Sequence, residues 1–245
     1  MNILRLDCVD STNREIKRRV LAGGAPPGLV VIAREQTAGK GRLGRNWLSQ
    51  RDMGLYMSLL LRPVMPIGTL PLAAGLAVCE ALEAALPVTP VVKWPNDLLL
   101  NGKKICGILA EASWSESRPF TVLGVGINLY QRQFPPELAG KATSLALESP
   151  VAVDRILLEE AVLAGLERVI HIWEREGFAP FHAKYRHKCC TLGRMVWLQG
   201  LETRQALALD VTADGRLLVR LPDGATERVA AGEVSLQDSY AGDQS

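Results

Sequence analysis

"VVKWPNDLLLNGKKICGIL" fills residues 91–109. Val91–Trp94 reads as a short strand. The apolar runs on either side of Asn101-Gly102 form a hairpin signal, because that dipeptide accepts the positive φ angles of a tight turn. Polar groups interrupt this frame at one place: Lys93, Asn96 and Asp97 surround a rigid Trp94-Pro95 corner, and Lys104 follows just past the turn. Charge between Leu, Ile and Val strands is costly unless paired. One reading is a structural ion pair of Lys93 with Asp97, with Lys104 an ordinary hairpin residue. The other is a ligand site at the strand ends.

Two further stretches bear on the choice. Upstream, "AREQTAGKGRLGRNW" (33–47) sets Lys40, Arg42 and Arg45 among Gly39, Gly41 and Gly44. Glycines expose backbone N–H groups and the cations supply charge, a composition suited to polyphosphate. The Walker pattern fails, since Gly41 follows Gly39-Lys40 where Ser or Thr would stand. The string Gly39-Lys40-Gly41-Arg42-Leu43-Gly44 has dinucleotide spacing, but a loop follows it instead of a helix. A solvated surface loop fits the same composition. Downstream, "VLGVGINL" (122–129) carries Gly124 and Gly126 inside a strand, which points to a close backbone or ligand neighbour, or to packing alone. Asn128 is its one polar side chain.

The remaining elements read as an α+β chain. Strands fall at residues 1–9, 29–33, 55–61 and 120–130. Helices fall after Asp10, where Thr12 and Glu15 have capping-box spacing, at Thr69–Leu86, at Val153–Glu176 and near 178–189. The run 55–61 is almost continuously apolar and so reads as a strand buried on both faces. From Thr191 the texture changes to short strands with Asp-Gly turns, as in a small β-barrel. This divides the chain into residues 1–190, 191–238 and a loose tail, 239–245.

The chain has 245 residues, 48% of them hydrophobic, and a net charge of +2. That is ample for a core, and too neutral for a protein that coats nucleic acid. The N-terminus lacks an apolar signal core. Glu80 and Glu83 interrupt the most apolar helix, so no membrane span is expected. The five cysteines show no metal-like spacing and read as free thiols of a cytoplasmic protein. His171, His182 and His187 lie outside every motif and read as packing or surface residues.

Taken in order, the motifs resemble one family, the biotin–protein ligases. The matching stretches are Asp10-Ser11-Thr12-Asn13, Gln36, the loop 39–45, Lys93-Trp94-Pro95-Asn96-Asp97, Lys104–Leu109, Gly124–Asn128 and the ending Gly232–Leu236. The resemblance implies a central mixed sheet flanked by helices, as in class II synthetases, followed by an SH3-like barrel. It implies a two-step reaction: biotin and ATP give biotinyl-5′-AMP, and a lysine of a biotin carboxyl carrier protein then takes the biotin. Mg²⁺ is implied with the ATP, though no metal ligands are indicated.

The resemblance also implies site roles. Ser11, Thr12, Asn13, Gln36, Lys40 and Gly41 fall at biotin-binding positions, with Gly124 and Gly126 narrowing the slot. Arg42 and Lys104 are the catalytic cations and touch biotin as well. Arg45, Trp47, Lys93, Asn96, Asp97 and Asn128, with Arg42, fall on the nucleotide side. The loop is then a lid over a labile adenylate. Lys40 departs from the family's usual arginine and loses its planar fork. The motifs start at residue 10, which implies the ligase-only type without the DNA-binding module, as a monomer or homodimer. The alternatives are a lipoate- or octanoate-type transferase and a non-enzymatic biotin-responsive regulator.

Overall fold

The computed structural model describes residues 1–63, 66–115, 118–199, 203–230 and 233–236. Gly232 and residues 239–245, expected to form a loose tail, lie outside the described residues. The elements are β1 (Asn2–Leu6), α1 (Thr12–Leu21), β2 (Leu29–Ala33), β3 (Gly54–Leu61), α2 (Leu70–Ala85), β4 (Val91–Lys93), β5 (Asp97–Leu100), β6 (Lys103–Ser115) and β7 (Arg118–Asn128). They continue with α3 (Leu145–Glu148), α4 (Arg155–Glu176), α5 (Ala179–Lys188) and β8 (Met195–Gln199). The last strands are β9 (Arg204–Val211), β10 (Leu217–Arg220), β11 (Thr226–Val229) and β12 (Glu233–Leu236).

Seven strands form a mixed sheet in the order β1-β2-β3-β7-β6-β5-β4. Only β1 and β2 run parallel; the other pairs are antiparallel. The hairpin read at Asn101-Gly102 joins β5 to β6, with both residues at positive φ. β3 is buried on both faces as its apolar run requires. Leu55, Met57 and Leu59 enter the main core with α2 and α4. Leu60 faces the other way, toward Ile16 and Val20 of α1. The same alternation sends Leu123, Val125 and Ile127 of β7 into the main core, and therefore turns Gly124 and Gly126 to the α1 face.

Two local expectations change. Thr12 and Glu15 form no capping box: Ser11 is the N-cap without a side-chain cap bond, and Glu15 pairs with Arg18 and Arg19. The Thr12 hydroxyl turns to Gln36 and Ser58 instead. The segment Ile67–Ala85 is long and apolar enough to cross a membrane by length and composition. Its residues serve a different purpose here, because α2 is wedged between the sheet and α4, so closely that a Cβ at Gly165 would lie 3.3 Å from Ala77 O.

The C-terminal strands form a second, antiparallel sheet in the order β11-β10-β9-β8-β12. The stretch 226–236 carries two separate strands, β11 and β12. This sheet is pinned to the first part of the chain by polar contacts. The Trp94 amide donates to Thr191 Oγ1 (3.0 Å), and Trp94 Nε1 donates to Gly215 O (2.9 Å). His182 Nε2 sits 2.6 Å from Val211 O, which gives that histidine a packing role.

Candidate active site

On the α1 face of the sheet lies a cavity of about 710 Å³. Every candidate residue named from the sequence lines it, including both ends of the chain of motifs, Ser11 and Asn128. Four elements bring them together. The start of α1 supplies Ser11, Thr12 and Asn13. The connection from β2 to β3 supplies Gln36 and the basic loop. The β4–β5 corner and the start of β6 supply Lys93, Asn96, Asp97 and Lys104. β7 supplies Gly124, Gly126 and Asn128.

The glycines of β7 are needed because side chains lie directly on them. A Cβ at Gly124 would overlap the Asn13 carboxamide, and one at Gly126 would overlap the Trp47 indole. The close neighbour that the strand glycines implied is thus a pair of side chains on the cavity floor. Trp47 also covers Gly107, and the Lys104 ammonium stands 5.3 Å from the centre of its ring. Trp47 Nε1 is buried with no hydrogen-bond partner among the described residues. It is a buried donor, seated against Gly126, whose hydrogen bond the described residues leave unmet.

The basic loop folds over this floor as a hairpin. Lys40 bridges Asn46, the Gly41 amide donates to Arg45 O (2.8 Å), and Leu43 and Gly44 turn the chain at positive φ. Lys40 and Arg45 are exposed at the rim, whereas Arg42 reaches inward and donates from Nη1 to Asn96 Oδ1 (3.0 Å). Asn96 is itself held by donation from Nδ2 to Ile108 O (3.0 Å).

The ion pair in the corner is not the one read from the sequence. Lys93 and Asp97 are register partners across β4 and β5, but Asp97 Oδ1 lies 2.6 Å from Lys104 Nζ. Burial lowers the Lys93 pKa, and the nearby Asp97 only partly opposes it. Burial likewise lowers that of Arg42, with Asp97 opposing and Arg45 adding to the shift. Desolvated cations around one cavity favour anionic ligands, because burial raises the cost of their charge and a phosphate or carboxylate offsets it.

Several candidates are already engaged by protein groups. Asn128 Nδ2 donates to Thr143 O (2.9 Å), so this residue ties β7 to the segment after it. Gln36 donates to Ser49 Oγ (2.8 Å) and accepts from the Thr12 amide (2.9 Å). The sequence reading missed two walls. One is the segment around Leu138, Gly140 and Lys141, held by the Lys104–Ala142 bridge; the positive-φ Gly140 beside a lysine was its only signal. The other comes from Cys190, Arg194 and Gln199, in or next to the C-terminal sheet, which no local pattern marks; Val234, from the matched ending, joins them. No group of three or more His, Cys, Asp or Glu side chains suited to a metal occurs among the described residues.

Residues 6–128 match the Biotin/lipoate A/B protein ligase family, and residues 191–237 match the Biotin protein ligase C terminal domain. The chain belongs to the biotin/lipoate protein ligase family. The biotin–[acetyl-CoA-carboxylase] ligase of Mycobacterium tuberculosis is 38% identical over 233 residues, covering 91% of this chain and 85% of that one. The bifunctional ligase/repressor BirA of Bacillus spizizenii is 35% identical, covering 91% of this chain and 70% of that one. Among solved structures, the biotin protein ligase of Aquifex aeolicus in complex with biotin and ATP superposes with a TM-score of 0.85 at 34% identity. That match covers 96% of this chain and 98% of the other. The mixed sheet, its flanking helices and the separate C-terminal sheet are those of this family.

Proposed function

We propose that the protein activates biotin with ATP to biotinyl-5′-AMP and transfers the biotin to a lysine of a biotin carboxyl carrier protein. The observation that carries this reading is the convergence of six separate sequence motifs on one cavity, in a family with a solved relative that holds biotin and ATP.

In the first step a biotin carboxylate oxygen attacks the α-phosphate, the bond to the β-phosphate breaks and pyrophosphate leaves. Two anions must meet, so the barrier is largely electrostatic. Arg42, anchored on Asn96, and Lys104, held by Asp97, are the cations aimed at the carboxylate and α-phosphate. Lys93 and Arg45 stand for the outer phosphates, and Trp47 with its free N–H covers the adenylate. Ser11, Thr12 and Gln36 meet the cyclic urea, while Gly124 and Gly126 leave a narrow slot for the ring.

In the second step the carrier lysine's amine attacks the acyl carbon and AMP departs. Neither step needs an enzyme nucleophile. Asp97 is the one carboxylate among the candidate residues, so the site suits a Mg²⁺ ion that arrives on the phosphates and is held mainly by their oxygens. Such an ion would neutralise phosphate charge. The loop 39–47 acts as a lid that keeps water from the acyl-adenylate. The reducing cytoplasm, where carrier domains are modified, is the matching compartment for five free thiols. We place the division between catalytic and C-terminal parts at residues 190 and 191.

The test is incubation with biotin, ATP, Mg²⁺ and a biotin carrier domain, read by mass, with lipoate in a parallel arm. Biotin-dependent ATP–pyrophosphate exchange and a biotinylated carrier are expected. Exchange with lipoate alone, or with neither, overturns the reading.

A further inference from the structure

Behind the cavity floor runs a chain of hydrogen bonds that ends on a carboxylate outside the cavity. From one side, Ser49 Oγ donates to Trp47 O (3.1 Å), and Gln36 Nε2 donates to Ser49 Oγ (2.8 Å). Gln36 Oε1 lies 3.1 Å from Thr12 Oγ1. From the other side, Glu111 Oε1 lies 2.9 Å from Lys17 Nζ, and Glu111 Oε2 accepts from Asn13 Nδ2 (2.7 Å). Asn13 Oδ1 and Thr12 Oγ1 flank the fully buried Ser58 hydroxyl at 2.5 and 2.6 Å.

Each hydroxyl has one proton, so the ends of the chain decide its direction. Burial would raise the Glu111 pKa, yet the bonds from Asn13 and Lys17 hold it below its ordinary value, so it is ionised near neutrality. An ionised carboxylate can only accept. Asn13 must therefore turn its amide nitrogen to Glu111 and its oxygen to Ser58. Ser58 then donates to Asn13, and its oxygen takes the Thr12 proton. From the other end, Ser49 spends its proton on Trp47 O, so Gln36 faces it with nitrogen and shows Thr12 its oxygen. Both directions meet at Thr12 and Gln36, two cavity-lining oxygens with no hydroxyl proton left between them, although Gln36 Oε1 also accepts from the Thr12 amide (2.9 Å).

We infer that Glu111 is a positioning residue for substrate choice: it polarises the Asn13–Ser58–Thr12 chain so that Thr12 Oγ1 and Gln36 Oε1 present acceptors to an N–H of the ligand. This rests on the functional reading above and deepens it. A cyclic urea supplies such an N–H, whereas the dithiolane ring of lipoate does not. The buried Thr12 oxygen is then an acceptor without a donor, and Gln36 Oε1, which already accepts from the Thr12 amide, has a second lone pair to offer; leaving them unmet is costly, so the arrangement disfavours a ligand without an N–H.

The test compares biotin with an analogue in which ring N–H groups are replaced by oxygen, using ATP–pyrophosphate exchange. In Glu111→Gln the new amide can donate or accept, so the chain loses its fixed direction. The biotin KM is expected to rise about tenfold, with the ATP KM and the rate at saturating biotin near those of the parent. The preference for biotin over the analogue falls by a similar factor. Ser58→Ala, which cuts the chain at a small side chain away from the cavity, is expected to reduce the same preference. An equal loss for both ligands in Glu111→Gln marks a merely structural role and overturns the inference, as does an unchanged preference in both variants. Absence of biotin-dependent exchange in the parent overturns the functional reading itself, and the inference with it.

Discussion

The indole of Trp47 lies on Gly126 with no room for a Cβ between them. One strand glycine thus seats the C-terminal end of the basic loop. Gly126→Ala is expected to lift Trp47 from the floor while leaving the strand paired. Limited proteolysis should then cut residues 39–47 faster than in the parent. Biotin and ATP should protect the parent loop more than the variant. Equal cleavage in all four samples would refute both the seat and the lid.

Arg42 donates to Asn96 from a partly desolvated position. Arg42→Ala removes a cation from the place where two anions meet. A loss of about 10²–10³ in pyrophosphate exchange is expected, the scale for a removed transition-state donor. Its thermal midpoint should stay close to the parent's. Unchanged exchange would remove Arg42 from the mechanism. Lys104→Met should show a loss of the same order, and in addition leaves Asp97 without its 2.6 Å partner.

Trp94 is buried and donates to Gly215 O across to the C-terminal sheet. Trp94→Phe keeps most of the ring and deletes the donor, which strands a buried carbonyl at a cost of about 1–3 kcal/mol. Denaturant unfolding should detect that loss. The neighbouring Lys93, Asn96 and Asp97 should shift with it and raise the ATP KM.

Asp10 sits before α1, where its carboxyl is held at about 2, against an ordinary 3.8, chiefly by the hydrogen-bonded Arg18 guanidinium. A depressed folded-state pKa contributes stability that is present above the unfolded value and lost as the group protonates. The contribution should therefore be complete above about pH 4 and fade between there and pH 2. Arg18 is exposed, so solvent screening keeps the effect within about 1 kcal/mol. Asp10→Asn should lower the melting temperature at pH 7, and the gap to the parent should close near pH 2. A constant gap across that range would refute the assignment.

Much of the fold is legible locally. β2 is the β-branched run 29–33, the Asn101-Gly102 turn joins two strands, and α4 ends at Gly177. These follow from side-chain periodicity and turn chemistry, which depend on near neighbours. The errors share one cause. The capping box at Thr12 and the ion pair at Lys93 and Asp97 were local solutions that distant groups outcompeted. Gln36 and Ser58 take the Thr12 hydroxyl, and Lys104 takes Asp97.

The sequence by itself determined which motif residues gather at the cavity, because its motifs keep their identity and order wherever the chain goes. Only the tertiary structure decided what each polar group has left to offer. Asn128 is occupied by Thr143 and Trp47 Nε1 is not. Glu111 carries no motif signal, yet it sets the hydrogen-bond direction at Thr12 from behind the cavity floor. Spacing along a chain records which groups can be neighbours. Donor and acceptor capacity is spent on partners that packing supplies, often from far along the chain, as the link from Asn13 on α1 to Glu111 on β6 shows.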